Sequence, residues 1–139
     1  MPTVLIVDDE PDIVMLLRLA LQAAGYTTVE AFDGAEALEV IEARHPDLVL
    51  LDVMMPVMDG WTTLELLSER AEHPKVIVVT AKTTTRDADR ARKLGADDFV
   101  TKPFEPDELL QRMRAVMGGE NRPAVEAPPP LSSPFTGAV

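Results

Sequence analysis

Five short apolar runs, each ending at a polar or charged residue, alternate along this chain with segments of helical periodicity, and this alternation limits the fold more than any other feature. The first run, Thr3 to Val7, is β-branched and closes on Asp8, Asp9 and Glu10. Pro11 then opens a segment whose apolar residues Ile13, Leu16, Leu17, Ala20, Leu21 and Ala24 predict one helical stripe, with Gly25 as a left-handed stop. The pattern repeats as strands over Thr27 to Ala31, Asp47 to Leu51, Lys75 to Val79 and Asp98 to Thr101. Helices are expected over Gly34 to Arg44, Gly60 to Arg70, Thr84 to Leu94 and Pro106 to about Met117.

Right-handed crossovers put helices on both faces of a parallel sheet, so this order predicts a doubly wound five-stranded α/β sandwich flanked by five helices. The runs Val4 to Val7, Leu48 to Leu51 and Val76 to Val79 are apolar on both faces and belong at the centre, leaving the two weaker strands at the edges. Residues 1–117 form one domain on this reading. From Gly118 to Val139 the chain is rich in Pro and lacks periodicity, which predicts a disordered tail.

Charge and composition narrow the function. A net charge of −11 repels phosphate backbones, so direct nucleic-acid binding is not expected. With no apolar run near the roughly 20 residues that span a bilayer, no membrane segment is expected either. The absence of cysteine excludes thiolate chemistry and Cys-ligated zinc. The first residues lack the pattern of a signal peptide, and a cytoplasmic setting is expected.

Ligands of parallel α/β sheets bind at the carboxyl ends of the strands. Those ends carry Asp8 and Asp9, Asp52, Thr80 and Lys102, which should therefore converge. Neighbouring carboxylates repel unless a cation offsets their charge. The oxygen-only set suits Mg²⁺, held by Asp8, Asp9, Asp52 and a backbone carbonyl near Met54. Asp52 stands alone at the centre of the sheet and is the best nucleophile for phosphoryl transfer. Lys102 would pair with a phosphoryl oxygen and Thr80 would donate a hydroxyl hydrogen bond to another.

The segments VLIVDDEP, LVLLDVMMPVMDG, VIVVTA and GADDFVTKPF, spread over residues 3 to about 117, resemble the response-regulator receiver domains of two-component phosphorelays. The resemblance implies a flavodoxin-like sheet with its strands in the order second, first, third, fourth, fifth. It implies that a sensor histidine kinase or histidine phosphotransfer protein donates a phosphoryl group to Asp52. Mg²⁺ would sit directly on Asp9, Asp52 and the Met54 carbonyl. Thr80 and Phe99 would act as switch residues, Thr80 moving toward the phosphoryl group while the Phe99 ring turns inward. The Lys102–Pro103 peptide would be cis. Such a protein phosphorylates and dephosphorylates itself and is otherwise not an enzyme, and Met54 and Lys82 flank the site where water would enter.

Other features read more plainly. Trp61 is expected as packing, and His45 and His73 have no partner spacing for chemistry. Val14, Met15 and Leu19 lie off the expected stripe of the first helix and offer a face for the kinase. A dehalogenase-like phosphatase lacks its second acid, because that position is Met54. GADDFVTKPF also looks like receivers that drive winged-helix DNA-binding domains and dimerise through a charged surface, here Asp97, Asp98, Glu108, Arg112 and Arg114. At Ala88, Asp89 and Arg92 the residues depart from that pattern, so a monomer or weak dimer is expected. The 22 residues from Gly118 are too few for a winged helix, and the expected output is a protein partner.

Overall fold

A computed structural model describes residues 2–54, 59–70, 73–81 and 85–118. Five strands alternate with five helices: β1 Thr3–Val7, α1 Pro11–Ala23, β2 Thr27–Ala31, α2 Gly34–Arg44, β3 Leu48–Leu51, α3 Gly60–Ser68, β4 Lys75–Thr80, α4 Thr85–Lys93, β5 Asp98–Thr101 and α5 Pro106–Gly118. All pairings are parallel and the order is β2-β1-β3-β4-β5, so the three apolar runs are central and the two weaker strands form the edges. Met55, Met58, Lys82, Thr84 and residues 119–139 of the expected tail lie outside the described residues, while Gly118, expected to begin that tail, is the last residue of α5.

Side chains alternate across the sheet and build two cores. Leu5, Val7, Val49, Leu51, Val76 and Val78 pack with Ile41, Leu64, Leu67 and Phe99 on the face covered by α2, α3 and α4. Val4, Ile6, Leu48, Leu50, Ile77 and Val79 pack with Leu17, Leu21, Leu109 and Met113 on the face covered by α1 and α5. Burying each large aliphatic side chain contributes about 1.5–3 kcal/mol, so the central strands anchor everything attached to their ends.

Local chemistry sets the helix boundaries. Asp33 accepts a hydrogen bond from the Glu36 N–H at 2.8 Å to start α2, and Asp59 accepts one from the Thr62 N–H at 2.9 Å to start α3. Pro11 opens α1, and Gly25 follows it at φ 98°, the left-handed turn its position predicts.

The phase of α1 differs from the expected stripe. Val14, Leu17 and Leu21 are its buried residues, while Leu16 is exposed at 45 %. The spacing i, i+3, i+7 defines the face that meets the sheet, and Leu16 lies nearly opposite it. Val14, expected on the docking face, therefore belongs to the core, and the exposed large apolar residues of α1 are Met15, Leu16 and Leu19. Ala88 is likewise fully buried against the sheet and cannot lie on a dimer surface.

Candidate functional site

In this strand order, β1 and β3 are neighbours whose chains depart in opposite directions, which opens a crevice at their carboxyl ends. The ladder extends one residue past each strand there. The Asp8 N–H donates to the Ala31 carbonyl, the Asp52 N–H to Val7 and the Lys102 N–H to Thr80, at 3.2, 3.0 and 2.9 Å. Each of these three side chains is thus carried on a backbone held by the sheet.

Asp8, Asp52 and Thr80 are buried. The two carboxylates are bound in the same way: one oxygen accepts the N–H two residues on and the other accepts the Lys102 ammonium. Asp8 Oδ1 takes the Glu10 N–H at 2.9 Å, and Asp52 Oδ1 takes the Met54 N–H at 2.9 Å. Lys102 Nζ lies 2.8 Å from Asp8 Oδ2, 3.1 Å from Asp52 Oδ2 and 3.2 Å from Glu10 Oε1. The Lys102–Pro103 peptide is cis.

Burial pushes the Asp8 carboxyl above its ordinary range, and the hydrogen bonds from Lys102 and the Glu10 N–H only partly oppose it. Burial works against the Lys102 ammonium too. The hydrogen bond to Asp8 and the charge of Asp52 outweigh it and hold the lysine above its usual value.

Oxygens of Asp8, Glu10 and Asp52 all lie within 4.8 Å of one another, so this cluster could bind a metal ion. An all-carboxylate donor set fits a hard divalent cation. The cluster holds Asp8 and Asp52, which were expected, and Glu10, which was not. Asp8 is buried, whereas Asp9, the next residue, is exposed. Glu10 escaped sequence reasoning because its partner, Lys102, is 92 positions away.

Three features surround this cluster. Phe99 is fully buried, its ring already in the core beside α4. Gly60 touches the segment that carries Asp52: a Cβ there would lie 2.4 Å from both the Asp52 carbonyl oxygen and Val53 Cα. Trp61, next along α3, is buried as expected and has the Arg90 guanidinium 4.4 Å from its ring centre. On the β5–α5 side, Arg112 binds both Asp98 oxygens at 2.8 and 2.7 Å, and Asp89 pairs with Arg92 at 3.0 Å on α4. His45 and His73 lie at the opposite end of the sheet, lining an open cleft with Asp47 and Lys75.

Among the described residues, no helix is long and apolar enough to cross a membrane. Residues 4–114 match the response regulator receiver domain. The receiver domain of Francisella response regulator 1452 superposes with a TM-score of 0.81 at 35 % identity, covering 85 % of this chain and 98 % of that one. Chemotaxis response regulator CheY4 of Vibrio cholerae gives 0.78 at 31 % identity, covering 84 % and 98 %. Among curated relatives, the alkaline phosphatase synthesis transcriptional regulatory protein PhoP of Bacillus subtilis is 41 % identical over 114 residues, 82 % of this chain and 48 % of PhoP. The DNA-binding response regulator MtrA of Mycolicibacterium smegmatis is 40 % identical over 122 residues, 87 % of this chain and 53 % of MtrA. This chain thus spans about half the length of the curated relatives it matches. Fold, matched family and the lysine-bridged carboxylates at the β1–β3 crevice agree: the chain belongs to the response regulator receiver domains of two-component systems.

Proposed function

We propose that Asp52 is the phosphoacceptor of this receiver and that a sensor histidine kinase or a histidine phosphotransfer protein is its donor. The observation that carries the reading is the Lys102 ammonium, 3.1 Å from Asp52 Oδ2 in a crevice otherwise lined by carboxylates. One Asp52 oxygen forms the new bond to phosphorus, while the bond from phosphorus to the donor's histidine nitrogen breaks and its electron pair leaves with the imidazole. Lys102 then neutralises a phosphoryl oxygen, and the Thr80 hydroxyl approaches another. Held by Asp52 with Asp8, Asp9 and the Met54 carbonyl, Mg²⁺ would offset the charge of the phosphoryl oxygens. The exposed face of Met15, Leu16 and Leu19 supports docking of the kinase on α1.

The phosphoryl group shifts the population of active conformer only through contacts that differ between the two states, and Thr80 and Lys102 supply them. Phe99 would serve as the second switch residue, buried behind Thr80. The setting would be cytoplasmic. The proposed output is control of a protein partner. Incubation with acetyl phosphate and Mg²⁺ should add one phosphoryl group to the wild type and none to Asp52→Asn, as read by intact mass. Equal labelling of both would overturn the assignment.

A second output is favoured by the relatives, several of which are named as transcriptional or DNA-binding regulators. Such a receiver would act by dimerising through α4, β5 and α5. Against a strong dimer, Asp98 and Arg112 are already paired within the chain, as are Asp89 and Arg92. Sedimentation with and without acetyl phosphate separates the two: a phosphorylation-dependent dimer favours the second reading, and a monomer favours the first.

A further inference from the structure

Glu10 occupies the N-cap position of α1, yet its side chain makes no capping hydrogen bond. Acidic side chains near a helix start ordinarily accept from the first free N–H groups, and Asp33 and Asp59 do so on α2 and α3. Glu10 instead directs Oε1 to Lys102 Nζ at 3.2 Å, while its own N–H is tied to Asp8 Oδ1. An ammonium has three donors, and Asp8, Asp52 and Glu10 take all three. Two of those acceptors are buried and held by backbone N–H groups. The Glu10 side chain is 61 % exposed and is the one of the three that leaves at least cost, since water can replace its contact.

We infer that Glu10 is a gate on Lys102: a positioning residue that holds the third donor in the resting protein and must release it before the ammonium can bind an incoming phosphoryl oxygen. The inference rests on Asp52 being the phosphoacceptor. Glu10 also places a negative charge at the mouth of the crevice, where it opposes an anionic donor. Both effects slow phosphorylation, so removal of the carboxylate should accelerate it. Loss of a structural contact or of a metal ligand would act in the opposite direction.

The test compares wild type, Glu10→Gln and Glu10→Ala in the rate of phosphorylation by acetyl phosphate at saturating Mg²⁺, with Asp52→Asn alongside. Because Glu10 caps nothing, both variants should fold, as a thermal melt verifies. The second-order rate constant is expected to rise, more in Ala than in Gln, by roughly three- to fivefold for removal of one near charge in a solvated site. Repeating the series at about 1 M salt screens long-range repulsion, and part of the gain should persist because it comes from the freed donor. A gain that vanishes in salt would overturn the gate, as would an unchanged or lower rate. So would a tenfold loss of Mg²⁺ affinity in a Trp61 fluorescence titration, which would make Glu10 a metal ligand. Labelling of Asp52→Asn would instead overturn the underlying phosphoacceptor assignment.

Discussion

Replacing Lys102 with Met retains the aliphatic stem and removes the cation that, among the described residues, bridges Asp8, Asp52 and Glu10. The Lys102 side chain is 12 % exposed and the Asp8 and Asp52 side chains 3 % and 6 %, so the two aspartates cannot turn to water for compensation. Breaking a buried pair costs about 3–5 kcal/mol, and the lower value is used here. Glu10 is mostly exposed and adds little. For a domain of about 110 residues, an unfolding entropy of about 0.23 kcal/mol per kelvin turns 3 kcal/mol into a Tm drop of roughly 13 °C.

The sign of the pH dependence follows from Asp8. Burial raises its carboxyl above 3.8, so the folded protein holds this proton more tightly than the unfolded chain. Stability is therefore lost as pH rises from 3.8 through the folded value, and loss of Lys102 widens that interval. The Lys102→Met penalty should be small near pH 4 and complete by pH 8. Added Mg²⁺ should shrink it, since a second cation can then offset the same carboxylates. Thermal unfolding followed by circular dichroism in EDTA and in Mg²⁺ tests this, and a penalty independent of both pH and Mg²⁺ would refute the electrostatic argument.

Three further perturbations have defined outcomes. Gly60→Ala forces a methyl group against the Asp52–Val53 backbone and should cost about 3 kcal/mol in urea denaturation; a wild-type midpoint would show that the loop yields freely. Mg²⁺ at about 100 times its dissociation constant should stabilise the wild type by about 2.7 kcal/mol. Asp52→Asn and Asp8→Asn should each lose most of that gain, and an undiminished thermal shift in both would place the ion elsewhere. Asp33→Ala removes the α2 cap and should cost about 1 kcal/mol without altering acetyl phosphate kinetics; a change in kinetics would implicate α2 in the site.

The sheet was legible because burial on both faces leaves unbroken apolar runs, and strand ends mark where chemistry collects. That rule led to Asp8, Asp52 and Lys102, which the fold brings into contact, and to Thr80, which it buries. Errors arose where direction matters more than position. α1 carries apolar residues around most of its circumference, so the sequence admits more than one stripe, and contact with the sheet selects Val14 over Leu16. Asp8 and Asp9 are chemically identical, and their different burial appears only in the fold. Glu10 was not singled out, because its partner Lys102 stands 92 positions away and only the folded sheet brings the two together.

The contact of Gly60 with the Asp52 peptide gives Trp61 a practical value. It is the one tryptophan in the chain, 7 % exposed, with a guanidinium over its ring and a neighbouring residue pressed on the Asp52 backbone. Indole emission depends on nearby charge and on ring environment, so small backbone movements beneath Gly60 should alter its intensity or wavelength. The protein thereby carries its own optical probe, one that can time events at Asp52 in unlabelled material and whose dependence on Arg90 is open to a single substitution.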